Sequence, residues 1–305
     1  MENQTGKWVL IAGGRGLIGR ALGKQFESKG FRVRYLSRNP PPGDAYTYFW
    51  DPIEGKIDEN AFREVEVLVN LTGESIAGKL WTPWRKRKII NSRVLAAKLL
   101  YKTLERINHR VNVVINASAI GIYGNTGDMI IHEDAPPAND FLGTTCQRWE
   151  KNSVNFEKLG IRTIIFRIGL VLSTSGGMLP ELLKPLKFGF AVIFGKGDHY
   201  QSWIHIDDLC RMIVKAARED QYSGVYNAVA PGPLSQRNFI KLLSQILQGN
   251  YIFIPVPAFV LKLFMGEMSK LVLEGCRVSP EKMIKTGFKF NFPQANLALR
   301  NLLGK

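Results

Sequence analysis

The chain has 305 residues, 45% of them hydrophobic, and its Lys+Arg 41 against Asp+Glu 26 give a net charge of +15. A mean hydropathy of -0.07 belongs to an ordinary soluble globular chain. Cys146, Cys210 and Cys276 lie far apart with no Cys-x-x-Cys, which excludes a disulfide framework and a zinc site and fits a reducing compartment.

Neither end of the range of special classes fits better. MENQTGKW lacks the basic, apolar and small-residue order of a signal peptide. The most apolar tract, residues 251–266, is broken by Pro255, Pro257 and Lys262, so it reads as core or interface rather than a membrane span. A cytoplasmic chain is expected. The basic surplus is dense only in WTPWRKRK, residues 81–88; elsewhere it is scattered, and no nucleic-acid partner is expected.

In chain order, VLIAG (9–13) reads as a buried strand. LIGRALGKQFESKG (17–30) follows with a helical stripe of Leu17, Ile18, Ala21, Leu22 and Phe26, ended by Gly30. FRVRYLS (31–37), AYTYFWD (45–51) and VEVLVNL (65–71) are strands. Thr82-Pro83 gives an N-cap and first position to a helix running to about Ile107. VNVVINASA (111–119) and IRTIIFRIGLV (161–171) are strands around a helix spanning 140–159. After Ser173 the alternation fades: 175–189 is Gly/Pro-punctuated and partly helical, 203–220 is a capped helix and 223–230 a strand. Short helices and prolines follow Pro231. This order predicts an α/β chain, a Rossmann-like doubly wound parallel sheet with a smaller C-terminal substrate domain. The first domain takes 1–175 with 201–230 returning to it; the second takes 176–200 and 231–305.

Between the first strand and helix, Gly13, Gly16 and Gly19 recur at three-residue spacing, with Arg15 inside the turn. In that context Gly13 allows the tight turn and Gly16 admits a pyrophosphate. Gly19 lets the helix pack on the sheet, and Leu17 and Ile18 begin the helix whose N-terminus faces the phosphates. The second strand ends in Ser37-Arg38 rather than the acid that accepts a ribose hydroxyl. Two guanidinium groups and a hydroxyl suit a 2′-phosphate. NADP(H) is the expected cofactor.

These stretches, with NLTGES (70–75), WTPWRKRKIINSRV (81–94), SAIGIYG (118–124), FRIGLVLSTSGGML (166–179) and SWIHIDDL (202–209), resemble the extended short-chain dehydrogenase/reductases. Closest in pattern is their atypical "epimerase family protein" branch, an NADP-binding group. Its C-terminal domain of unknown function is similar to GNYIFIPVPAFVLKLFMGEMSKLVLEGCRVSPEKMIKTGFKFNFP. The resemblance implies that Leu71, Thr72 and Gly73 lie beside the adenosine half of the cofactor. It implies that Lys88 and Arg93 flank it on a helix, that Ser118 lies at its edge, and that Gly169 and Val171 line the nicotinamide end.

Extended short-chain enzymes use a Tyr-x-x-x-Lys pair, the lysine lowering the phenol's pKa for proton exchange with the substrate. Here the matching positions are Leu142 and Cys146, with Ala119 near the place of the usual Ser or Thr. This departure is itself typical of the branch. Substitutes on offer are Tyr123, Cys146, Glu74 paired with Arg93, and His205 ahead of an Asp207-Asp208 helix cap; Trp149-Glu150 reads as stabilising the helix that lost the pair. Tyr123, Arg93 and Cys146 are the catalytic candidates. The expected activity is NADP(H)-dependent, oxidoreductase or epimerase-like hydride transfer on a small polar substrate. The cations of 81–88, placed near a cleft mouth, lean it toward an anion. The alternative is a protein that senses NADP(H) without turnover. No metal is expected.

Overall fold

The computed structural model describes residues 6–305. Its first half runs β1 (Trp8–Ala12), α1 (Leu17–Glu27), β2 (Arg32–Ser37), β3 (Thr47–Asp51), β4 (Lys56–Ile57) and β5 (Val65–Asn70). It continues through α2 (Pro83–Arg106), β6 (Val113–Ala119), β7 (Ile130–Ile131), α3 (Phe141–Ser153), β8 (Arg162–Ile168) and β9 (Leu170–Leu172). The second half runs α4 (Met178–Leu186), β10 (Phe190–Phe194), β11 (Tyr200–Gln201), β12 (Trp203–His205), α5 (Ile206–Arg218), β13 (Gly224–Ala228), β14 (Leu234–Ser235) and α6 (Gln236–Leu247). It closes with β15 (Ile252–Val256), α7 (Ala258–Met265), α8 (Lys270–Leu273), β16 (Arg277–Val278), α9 (Glu281–Lys285) and α10 (Ala295–Leu303).

Eight strands form the central sheet in the order β13-β8-β6-β5-β1-β2-β3-β4. All neighbours are parallel except β3 with β4. The strand order reverses beside β1, whose Ile11 pairs Tyr35 on one side and Val69 on the other. That reversal opens a crevice at the carboxyl ends of β1, β2 and β5, the place where such sheets take ligands. The near-continuous apolar runs of β1, β5, β6 and β8 fit a sheet covered on both faces. One face buries Val9, Ile11, Val67 and Ile115 against α1, α5 and the Met283–Phe288 stretch; the other buries Leu10, Leu68 and Val114 against α2.

A further core gathers Leu179, Leu182 and Leu186 of α4 with Phe239, Ile240 and Leu243 of α6 and Ala298 and Leu299 of α10. It is tied to the sheet by the short parallel pair β9–β12, with Leu170 opposite Trp203. That pair carries residues 199–202 over the carboxyl end of β8. No helix among the described residues is long and apolar enough to cross a membrane.

Candidate active site

β1 ends at Ala12, and the chain turns through Gly13 at φ 85, a conformation that favours glycine. Gly16 N donates to Gly13 O at 3.0 Å. A Cβ at Gly19 would lie 2.5 Å from that same oxygen, so only glycine lets α1 start this close to the strand. α1 has Gly16 as N-cap, no side-chain cap and no acidic residue in its first turn. Its free N–H groups and partial positive charge therefore face the crevice. Leu17 packs on the Gly176–Gly177 turn and Ile18 on the main core.

The crevice has a volume of about 370 Å³ and is lined by Gly13, Arg15, Gly16, Ser37, Arg38, Leu71, Thr72 and Gly73, among others. Arg15 Nη1 donates to Asn39 O at 2.7 Å, drawing the glycine turn toward the Ser37–Asn39 loop, where Ser37 Oγ accepts from Asn39 N at 3.2 Å. Thr72 is held by Asn70 Oδ1, and Asn70 Nδ2 donates to Asn116 Oδ1 at 3.1 Å across the sheet.

α2 starts as its sequence predicts, with Thr82 Oγ1 accepting from Arg85 N at 3.2 Å. Glu74 does not pair with Arg93. Its carboxylate accepts from Arg85 Nη1 at 2.7 Å, with Lys88 Nζ at 3.9 Å, and the Arg85 bond leads the causes that hold its carboxyl below the usual range. Arg93 instead donates to the carbonyls of Glu74 and Ile89 at 3.1 and 2.9 Å. The helix phase explains the exchange: Arg85 is buried on the face toward Glu74, and Arg93 lies two turns further along. Lys88 sits over the Trp84 ring at 5.5 Å and Lys86 pairs with Glu267. Much of the 81–88 cluster is thus spent on internal partners rather than offered at a cleft mouth.

Beyond the crevice lies a cavity of about 290 Å³. Leu142, Cys146 and Trp149, one helical turn apart on α3, form one wall; Gly169 and Leu170 with His199, Gln201 and Ser202 form another. Lys270 and Glu274 enter from the C-terminal segment. Arg93 joins crevice and cavity. Its guanidinium packs on Gly73, where an added Cβ would be 2.9 Å away, and stacks over Trp149 at 5.0 Å. No carboxylate among the described residues lies within 4.0 Å of it. Trp149 Nε1, His199 Nε2 and Gln201 Oε1 are buried without a partner. Burial pushes the Cys146 thiol up to about 12 and raises the Glu274 carboxyl; Lys270 Nζ pairs with Asp140 Oδ2 at 3.3 Å.

His199, Gln201, Lys270 and Glu274 escape sequence reasoning because they reach the cavity from separate segments. The one local signal is HYQSW leading into the short strand at 203, which pairs with β9 apart from the central sheet.

Other expectations are corrected as well. Tyr123 is buried away from the cavity: its hydroxyl donates to Asn227 Oδ1 at 2.7 Å and accepts from Arg167 Nη1 at 2.8 Å, and burial pushes it up to about 12. Ser118 donates to Glu150 Oε1 at 2.6 Å, and Glu150 holds Arg167 in a bidentate pair at 2.9 Å on both oxygens. Ser118 and Tyr123 thus belong to one buried polar network that fastens α3 to β8. The cap of α5 is His205, whose Nδ1 accepts from Asp207 N at 3.1 Å while the ring stacks on Phe292 at 3.9 Å. Asp208 is buried and accepts from Asn291 N and Phe292 N, each at 2.9 Å. Val171 pairs with Ile204 and packs on the main core.

A glycine turn at the switch point of a parallel sheet, opening onto a cavity under a second packed unit, defines a Rossmann-type protein of the short-chain dehydrogenase/epimerase class. The chain belongs to the NAD dependent epimerase/dehydratase family, whose pattern matches residues 9–228; a domain of unknown function matches residues 256–302. It is 34% identical to the epimerase family protein YfhF of Bacillus subtilis, over 97% of each chain. The structure of human epimerase family protein SDR39U1 with NADPH superposes with a TM-score of 0.87 at 27% identity, covering 98% of this chain and 99% of that one. A nucleoside-diphosphate sugar epimerase from Corynebacterium glutamicum gives a TM-score of 0.79 at 32% identity, covering 98% of this chain and 59% of that one.

Proposed function

We propose that the chain binds NADP(H) along the crevice and passes hydride between its nicotinamide and a small polar substrate in the adjoining cavity. One observation carries this reading. The uncapped N-terminus of α1 and the side chains of Arg15, Ser37 and Arg38 line one crevice, and no acid stands at the end of β2 to repel a 2′-phosphate. The glycine cradle fits the dinucleotide's pyrophosphate, and the human relative was solved with NADPH. Bound there, the cofactor supplies or accepts hydride. Residues 176–200 and 231–305 serve as the substrate domain, closing the cavity over Gly169.

The rest falls to the chain's own residues. Arg93, a cation without a carboxylate partner at the junction, orients an anionic group. Leu142 and Cys146 occupy the wall where the family's usual phenol and ammonium would stand, and a thiol near 12 keeps its proton at neutral pH. Orientation does most of the work, with the proton coming from water or from Glu274 or Lys270. The absence of an easily ionised phenol or thiol in this wall is also what favours the second reading, an NADP(H) sensor.

The test is titration with NADPH and NADH, followed by single-turnover oxidation of bound NADPH over a panel of carbonyl and enone compounds. Binding should favour NADPH by roughly tenfold or more, the worth of one or two charged hydrogen bonds, and Arg38→Ala should erase most of that margin. Equal affinities in the unaltered protein would sink the cofactor assignment. Tight NADPH binding with no oxidation by any compound would select the sensor.

A further inference from the structure

We infer that the protein forms a twofold dimer through the outer edge of β15, the occupant of that face being a second copy of the chain. β10 and β15 make a two-stranded parallel sheet apart from the central one. The far edge of β10 is closed from within. Phe194 N donates to Gln236 Oε1 at 3.3 Å, and Gln236 Nε2 donates to Val192 O at 3.2 Å, so a buried side-chain amide stands in for a missing strand. No strand among the described residues covers the far edge of β15.

The ladder fixes which groups that edge offers. Ile252 N donates to Gly189 O at 2.8 Å and Gly195 N to Val256 O at 2.9 Å. Even-numbered residues therefore face β10, and Phe253 and Pro255 face outward. The side chains around this edge are apolar and exposed. Ile252, Phe253 and Ile254 are all exposed, and β15 runs through Pro257 into α7, which buries none of its residues. Phe259 is 71% exposed, Leu263 77% and Phe264 74%. A patch of this kind on a monomer marks an interaction surface.

The backbone selects the occupant. In hydrocarbon the outward N–H and C=O of Phe253 would stay unpaired, at a cost of several kcal/mol per group; a strand pairs them. Antiparallel alignment about Phe253 on a twofold axis lets the two Phe253 residues exchange both hydrogen bonds. Pro255, which has no N–H to give, then falls opposite Tyr251 of the second copy and offers its carbonyl alone. Residues 252–261 carry no charged side chain, so two chains of net charge +15 meet along a neutral stretch. The result is a four-stranded sheet whose outer ends are both sealed by Gln236, so association stops at two.

Sedimentation equilibrium of the full chain at micromolar concentration tests this, together with hydrogen exchange at the Phe253 amide. A dimer with a protected Phe253 amide is expected. Phe253→Pro removes only the outward donor, and should weaken association roughly tenfold or more without altering NADPH binding. Ile252→Lys leaves the backbone intact and should do the same by charge repulsion, which covers the case in which the proline variant does not fold. A monomer across the concentration range overturns the proposal, and so does a dimer undiminished in Ile252→Lys. A monomeric protein that co-sediments with anionic phospholipid vesicles would assign the face to lipid instead.

Discussion

At Gly16 an added Cβ would meet only the Gly13 carbonyl, at 3.3 Å, so the space in front of it belongs to the crevice. Gly16→Val should fill that space with two methyl groups while the protein keeps its fold, and abolish NADPH binding. Circular dichroism beside an NADPH titration checks both halves; a folded variant that binds normally would place the nucleotide elsewhere. This turn was legible in the sequence because everything that shapes it is local: strand, three glycines, helix. The partner of Glu74 was not. Choosing between Arg85 and Arg93 requires the rotation of α2 against the loop at 71–75, which packing on β5 and α3 decides. Tyr123 misled for a similar reason. A tyrosine just past a strand's carboxyl end suits a cleft, but Arg167, forty-four residues on, draws it into the interior.

Among the elements, the β10–β15 pair shows where pattern reading stops. Residues 251–266 are apolar without a clear period, which suits core and interface alike; in the fold, β15 and α7 lie outside the main cores while Tyr251 packs inside. α2 was legible to within a residue because Thr82 and Pro83 are local signals. His205 carries no cap signal in the sequence, because imidazole rarely takes that place, which oxygen-bearing side chains favour. Gln236 offers a test of element closure. Gln236→Leu keeps the volume but leaves Phe194 N–H and Val192 C=O unpaired at the edge of β10. Unfolding in urea should show a loss of roughly 2 kcal/mol, and sedimentation should reveal species larger than a dimer as the second edge opens. An unchanged midpoint would mean that water replaces the amide without cost.

Across the whole molecule the cysteines act together, although they lie in different parts of the chain. Cys146, Cys210 and Cys276 are all buried and free, and burial pushes each from an ordinary 9.0 up to about 12. Each thiol holds its proton more tightly folded than unfolded. The stability this gives is complete below pH 9 and is lost as pH rises toward 12, with Tyr123 adding to the loss above its ordinary 10.0. Melting temperature should therefore fall steeply between about pH 9 and pH 12. A variant with all three cysteines replaced by alanine should fall less steeply over the same range, and a flat profile in the unaltered chain would contradict the burial of these groups. The parallel sheet was foreshadowed by the alternation of strands and helices. The cavity was not, because its walls come from many separate stretches of chain. The crevice and the cavity each carry a tryptophan, with an optical consequence. Trp50 lines the crevice and Trp149 the cavity, and both are nearly buried. A reduced nicotinamide absorbs where indole emits, so NADPH bound between them should quench this emission and gain sensitised fluorescence, while NADP⁺ should not. A small anion displacing the guanidinium of Arg93 from the Trp149 ring should shift the remaining emission without any transfer. The protein would then report its two ligands by separate signals, with no label attached.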